Sequence, residues 1–153
     1  MIDKKSAGPK SCPHSKEGKM EVPDRALRIT KSEGATRQVE AAIEALQRGD
    51  FDLAITLAGA AEGMLDRKGH HMLSYMLNSP RAAEFDRKEL VATINQHRDW
   101  LKHVTPEQPD TLQIEREHAA SMIARAASKL EQWPSCIEDF RKWLIHNHNE
   151  LWK

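Results

Sequence analysis

The sequence predicts an all-α protein, folded as a single up-and-down bundle of about five to six helices. Its 153 residues suit one domain with one core. Aromatic residues make up only 5% of the chain. Ala, Leu, Glu, Lys and Arg are frequent, a composition that favours helices over a sheet. Apolar residues recur at intervals of three and four, which is the period of an amphipathic helix.

Residues 1–30 are predicted to lie outside the bundle, as a disordered basic tail followed by a segment that docks on the body. Residues 1–19 contain five lysines against Asp3 and Glu17, with several prolines and glycines and few apolar side chains. A segment of this kind cannot bury enough apolar surface to order itself. The helical bundle domain is therefore expected to span residues 31–153.

The first two helices are marked by their ends. A helix is predicted over Ala35–Arg48 and stops at Gly49. Asp50 is the expected N-cap of a second helix, over Phe51–Lys68. That second helix carries small residues among larger apolar ones, so it is expected to be central, with neighbours packed closely against it. Its small residues are Ala54, Ala58, Gly59, Ala60, Ala61 and Gly63.

Caps and prolines delimit the later helices. A short helix is predicted over Met72–Leu77, before Asn78-Ser79-Pro80. Asp86 and Glu89 have the spacing of a capping box, which opens a helix to about Val104. The last two helices are predicted from Leu112 or Ile114 to Gln132 and from Ser135 to about Leu151.

The helix that ends near Val104 contains the densest group of chemically active side chains, in residues 95–103. Asp99 and His103 are four apart and share a face, so the carboxylate can accept the imidazole N–H and orient the ring. Asn95 shares that face with Asp99. Arg98 and His103 are five apart and point about 140° from each other on a regular helix. They meet at one ligand only through long side chains, distortion at the helix end or a second subunit.

Two further residues have alternative interpretations. Glu62 lies between two glycines of the second helix and either is exposed or faces Arg98 or His103 across the bundle. His97 falls in the apolar seam of its own helix, which is formed by Leu90, Ile94, His97, Leu101 and Val104. It is either a buried or interfacial histidine bonded within the bundle, or part of a site.

The segment Arg98-Asp99-Trp100-Leu101-Lys102-His103 resembles the signature of the HEPN superfamily, an Arg followed by a His after four to six residues. A polar residue commonly follows the Arg, and Asp99 is in that place. Leu57-Ala58-Gly59-Ala60-Ala61-Glu62-Gly63-Met64-Leu65 also resembles a bacterial HEPN-like group of uncharacterised proteins. Asp110-Thr111-Leu112 and the next helix, through Glu117, Ala119 and Ala120, continue the likeness. The resemblance covers roughly residues 39–130.

The resemblance implies a metal-independent endoribonuclease of the toxin or antiphage type, acting in a cleft that two copies of the chain share. It implies a homodimer with RNA or a nucleotide as ligand, no cofactor, no metal and no DNA partner. Arg98 would hold the phosphate and His103 would transfer protons, oriented by Asp99. Residues expected to bind the substrate or support the site are Asn95, Lys102, His97 and Glu62.

Composition leaves two other functions open: a non-catalytic module that binds a nucleotide or another anion, and a helical adaptor that dimerises. The 23 basic and 23 acidic residues cancel, so there is no global field to attract nucleic acid. Cys12 and Cys136 lie in different contexts, which argues against a disulfide and for a reducing cytoplasm. No apolar run approaches the ~18 residues of a membrane span, so a cytoplasmic protein with no membrane partner is expected.

Overall fold

The computed structural model describes residues 21–147 of the chain. This part contains α-helices, one 3-10 helix and no strand, so the all-α prediction is confirmed. The elements are α1 (Lys31–Arg48), α2 (Phe51–Met64), α3 (Met72–Asn78), the 3-10 helix (Arg81–Glu84), α4 (Arg87–Lys102), α5 (Arg116–Ala127) and α6 (Ser135–Asn147). The prediction of a disordered tail in residues 1–19 lies outside the described residues, and so does the predicted extension of the last helix to Leu151.

Helix α1 starts at Lys31, earlier than the predicted Ala35, because Thr30 and Glu33 form a capping box. The Thr30 Oγ1 accepts from the Glu33 N–H at 3.1 Å, and a Glu33 carboxylate oxygen accepts from the Thr30 N–H at 2.7 Å. These bonds satisfy two donors that an uncapped helix leaves free. The predicted stop at Gly49 is confirmed: its φ of 82° is left-handed, and its N–H donates to α1 carbonyls.

Helix α2 ends at Met64 and not at Lys68, because Leu65 is extended. The ammonium of Lys129 donates to the carbonyls of Glu62 and Leu65, at 3.1 and 3.3 Å. It thereby stabilises the free carbonyls at the end of α2. At the other end, Asp50 is the N-cap by position, but its side chain makes no cap hydrogen bond and binds Arg48 at 2.9 Å instead.

The core forms around α2, which packs against α1, α5 and α4. Its alanines at positions 54, 58 and 61 are at most 1% exposed, so the neighbouring helices approach closely. Of its two glycines, only Gly59 lies under a neighbour: a Cβ there would be 2.9 Å from Cγ of Arg98, whereas one at Gly63 would meet nothing within 4 Å. Larger core side chains include Val39, Ile55, Ile123, Ile137, Phe140 and Leu144.

Helices α4 and α5 position the candidate site. Asp86 caps α4 as predicted, since its Oδ1 accepts from the N–H groups of Lys88 and Glu89 at 3.0 and 3.1 Å. The return bond of a capping box, from the Asp86 N–H to the Glu89 side chain, is not formed. The helix ends before Val104, which is fully exposed, so its predicted place in the apolar seam is wrong. Helix α5 is shorter than predicted at both ends. Within residues 21–147, no helix is long and apolar enough to cross a membrane.

Candidate functional site

A buried salt bridge joins α2 to α5. Arg125 donates from Nε to Oε1 of Glu62 at 3.1 Å, and from Nη2 to Oε2 at 2.8 Å. The two residues are 2% and 3% exposed. The parallel pair of hydrogen bonds uses the geometric match between guanidinium and carboxylate. Glu62 therefore faces across the bundle, which was one of the two interpretations of its position.

Asn95 of α4 joins Arg125 and Glu62, and the three side chains form a buried polar cluster. Its Oδ1 accepts from Nη2 of Arg125 at 2.9 Å, and the Ile94 carbonyl accepts from Nη1 at 3.3 Å. Asn95 is 7% exposed. Arg125 thus connects α2, α4 and α5. Asn95 lies among buried protein groups here and not on an open surface where a substrate would bind.

Arg98 lies at the outer end of the cluster. Its Nη1 is 3.7 Å from Oε2 of Glu62, and 28% of its side chain remains exposed. The absence of a side chain at Gly59 makes room for the aliphatic stem of Arg98 against α2. Glu62 therefore lies between two guanidinium groups, one buried and one that reaches the surface.

Asp99 has a different partner from the predicted one. Both Nε and Nη2 of Arg98 donate to Oδ1 of Asp99, at 2.9 and 2.8 Å. The sequence predicted that this carboxylate accepts from His103. The adjacent guanidinium reaches it instead, while the backbone of His103 has already left the helical conformation.

His103 is the C-cap of α4 and is exposed. Its N–H still donates to the carbonyl of Asp99 at 2.8 Å, but its φ and ψ are −128° and 148°. Regular helix geometry therefore does not fix the direction of its side chain, and the angle of about 140° from Arg98 does not apply. Lys102, the last residue of α4, is exposed beside it.

His97 lies between α4 and α5, half-buried against His118. The two ring centroids are 3.7 Å apart and the planes differ by 25°. Burial lowers the pKa of His97, the nearby His118 lowers it further, and the Gln113 backbone and Glu115 oppose the shift. His118 Nδ1 accepts from the Glu115 N–H at 3.0 Å. The interpretation of His97 as an interfacial histidine agrees with this position.

Arg125 is the residue of this cluster that the sequence did not predict. A signal was present, because Arg125 is the one charged side chain in Ala124-Arg125-Ala126-Ala127. A long cation among small apolar residues of a core helix needs a buried partner. The sequence does not show which carboxylate supplies it, because Glu62 is 63 residues away.

The fold and these contacts define a class: an all-helical bundle with a buried arginine–carboxylate cluster that reaches the surface at Arg98, near the end of α4. Comparisons with protein-family models, with the sequences of curated proteins and with solved structures each find no match to this chain.

Proposed function

We propose that the protein is a HEPN-like helical module that holds RNA phosphate at the C-terminal end of α4 and cleaves RNA there as a homodimer. The observation that supports this most is the position of Arg98. Its charge is held by the buried Glu62 at 3.7 Å, while 28% of the side chain stays accessible. Five residues further on, His103 is exposed at the end of the same helix. A fixed cation and an accessible imidazole are two groups that this reaction uses.

In the proposed reaction the ribose 2′-oxygen attacks the adjacent phosphorus and the 5′-oxygen leaves, so that a 2′,3′-cyclic phosphate forms. The imidazole of His103 can take the 2′ proton or donate one to the leaving oxygen. Arg98 stabilises the extra negative charge on the phosphorane. The same imidazole can serve both proton transfers in turn, so each site needs one His103 and one Arg98, and two copies of the chain can supply them from opposite sides of one cleft.

The contacts change the roles of the supporting residues. Asp99 positions Arg98 rather than His103, and its two hydrogen bonds use two of the five N–H donors of the guanidinium, so that others remain for phosphate. Lys102 is exposed and adds positive charge beside the phosphate. Glu62 and Asn95 act from the interior, where they hold Arg125 and the α4 backbone in place.

The test is cleavage of a mixed-sequence single-stranded RNA by the purified full chain. Arg98→Ala and His103→Ala should each abolish cleavage, while Arg37→Ala and His146→Ala, which change exposed residues of α1 and α6, should not. The matching DNA strand should remain intact because it lacks the attacking hydroxyl. Equal cleavage by the wild type and both site variants would show that the activity does not belong to this site.

Mixing the two inactive variants tests the shared cleft. If the Arg98 and His103 that act on one phosphate come from different copies, a heterodimer of Arg98→Ala and His103→Ala contains one intact site. Activity should then reappear on mixing. Continued inactivity of a verified heterodimer would place both groups of a site in one chain.

The second candidate is a module that binds a nucleotide or another anion without turnover. One contact favours it: Asp99 binds Arg98 and not His103, so this carboxylate does not orient the imidazole for proton transfer. Thermal shifts with nucleotides and RNA separate the candidates, because stabilisation without cleavage indicates binding alone. A purely structural adaptor gives neither response.

A further inference from the structure

An apolar groove of about 370 Å³ lies between α3, α5 and α6, outside the proposed RNA site. Buried side chains of α6, Phe140 and Leu144, line it on one side. Met72 and Met76 of α3, one turn apart, line the opposite side. Methionine side chains adapt their shape to a partner at little energetic cost.

Large apolar side chains at this groove are exposed. Tyr75 is 63% exposed, Ile145 is 47% exposed and Trp133 is 37% exposed. They come from α3, from α6 and from the segment between α5 and α6. The apolar surface therefore extends from the groove onto its edges. An exposed apolar surface of this kind commonly marks a protein-binding site. Aromatic side chains often provide much of the binding energy at such sites.

The chemistry of the lining favours a helical partner. Apolar side chains offer few hydrogen-bond partners to the backbone of a bound peptide. A peptide buried there must therefore satisfy its own N–H and C=O groups, as a helix does. Binding of an amphipathic helix in a groove is a common mode of recognition, with apolar anchors spaced three and four apart.

At the end of the groove where His71 lies, most of the charged side chains nearby are basic. Burial lowers the pKa of His71, and the positive charges of Lys129, Arg67 and Arg125 lower it further against the opposing effect of Glu62. On the α6 side the groove is lined by Arg141, which also pairs with Glu138 at 3.0 Å. Among the described residues that line the groove, none carries a carboxylate.

From these observations we propose that the groove binds the apolar face of an amphipathic helix from a partner protein, with acidic residues along the edges of that face. The apolar anchors enter between Met76 and Leu144. The acidic residues approach Arg141 at one side and the basic surroundings of His71 at the other. This site does not depend on RNA cleavage.

The test is selection from a displayed library of helical peptides, about four turns long, with fixed apolar anchors. The positions beside the anchors vary among Glu, Lys, Gln and Ser. Selected peptides should be rich in Glu at those positions. Their affinity should fall about tenfold or more for Ile145→Asp and for Tyr75→Ala. Arg141→Glu should reduce the preference for Glu.

Two matched controls should leave the affinity unchanged. Leu53→Asp places the same charge at a half-exposed leucine of α2, outside the groove. Lys142→Glu reverses the charge next to Arg141, at a residue that does not line the groove. Circular dichroism must show that every variant keeps its helix content. Because Tyr75 and Ile145 are exposed, both substitutions should be compatible with folding.

Several outcomes would overturn the proposal. Selection of no peptide, or of peptides with no preference for Glu, would exclude an acidic helix as the occupant. Equal losses for Ile145→Asp and Leu53→Asp would place binding elsewhere. Binding of decanoate without binding of any peptide would indicate a small-molecule site. Self-association of the wild type that Ile145→Asp abolishes would assign the groove to a second copy of the chain.

Discussion

Arg125 and Glu62 meet in the interior through two hydrogen bonds, with side chains that are only 2% and 4% exposed. This relationship predicts the effect of removing one charge. Glu62→Gln leaves the Arg125 guanidinium buried without a countercharge, so the free energy of unfolding should fall by about 3–5 kcal/mol. Urea denaturation followed by circular dichroism measures the change.

A substitution in an exposed salt bridge provides the control for this loss of stability. Glu138→Gln removes a carboxylate from an exposed pair with Arg141, and should change the free energy of unfolding by about 0–1 kcal/mol. Replacing both buried partners, Glu62→Met with Arg125→Met, should be less damaging than Glu62→Gln alone because no charge is left unpaired. Equal stability of Glu62→Gln and Glu138→Gln would contradict a stabilising role for the buried pair.

The two glycines of α2 predict different effects of the same substitution. Gly63→Ala should raise the free energy of unfolding by about 0.5–1 kcal/mol, because alanine restricts the unfolded chain and its Cβ meets nothing within 4 Å. In Gly59→Ala the new Cβ would be 2.9 and 3.1 Å from Cγ and Cδ of Arg98. The Arg98 side chain must move, which offsets the gain.

An NMR spectrum of the arginine side chains measures that displacement directly. The Nε–H resonance of Arg98 should shift in Gly59→Ala, because its hydrogen bond to Asp99 changes. The same resonance should stay in place in Gly63→Ala. If the resonance responds equally to both substitutions, close packing over Gly59 does not position Arg98.

The sequence predicts what local chemistry determines. Gly49 ends α1 and Asp86 caps α4, because each acts on backbone groups a few residues away. Contacts between helices are harder to predict from the sequence. Arg125 finds its carboxylate 63 residues away, and the direction in which each helix faces decides that pairing. Periodicity indicates that α2 is central but does not identify the residues that reach it from α4 and α5.

The C-terminal end of α4 is a second place where the sequence does not predict the side-chain contacts. The seam pattern extends the helix to Val104, but the helix stops at Lys102 and Val104 is fully exposed. Spacing on an ideal helix therefore pairs Asp99 with His103, although the carboxylate binds Arg98. A helix-based prediction of side-chain contacts fails where the helix itself ends.

The stacked histidines predict a loss of stability in acid. The pKa of His97 in the folded protein lies below its ordinary value of 6.5. As the pH falls below the unfolded pKa, the unfolded chain takes up a proton that the folded chain does not, so folding becomes less favourable. The loss should stop growing once the pH is below the folded pKa. Urea denaturation between pH 7.5 and pH 5 should show this trend, at about the range where histidine titrates.

His71 has a lowered pKa as well and contributes with the same sign, so a variant is needed to isolate His97. His97→Phe keeps a ring against His118 and removes the titrating group. The pH dependence should therefore be weaker than in the wild type. His146→Gln, which changes an exposed histidine of α6, is the matched control. An unchanged pH profile in His97→Phe would assign the acid sensitivity to other groups.

Cys136 is predicted to react slowly with alkylating reagents. Burial raises the pKa of its thiol, and the carboxylate of Glu40 raises it further through its negative charge and a hydrogen bond from Sγ to Oε1 at 3.6 Å. The thiolate is the reactive form, so a raised pKa lowers the rate at a given pH.

In a Cys12→Ser background, where Cys136 is the only thiol, iodoacetamide should react more slowly with the folded protein than with the chain in urea. Glu40→Gln should accelerate the folded-state reaction, whereas Glu44→Gln, at an exposed position of the same helix, should not. If both variants react at the wild-type rate, burial alone protects this thiol and the charge of Glu40 has no part in it.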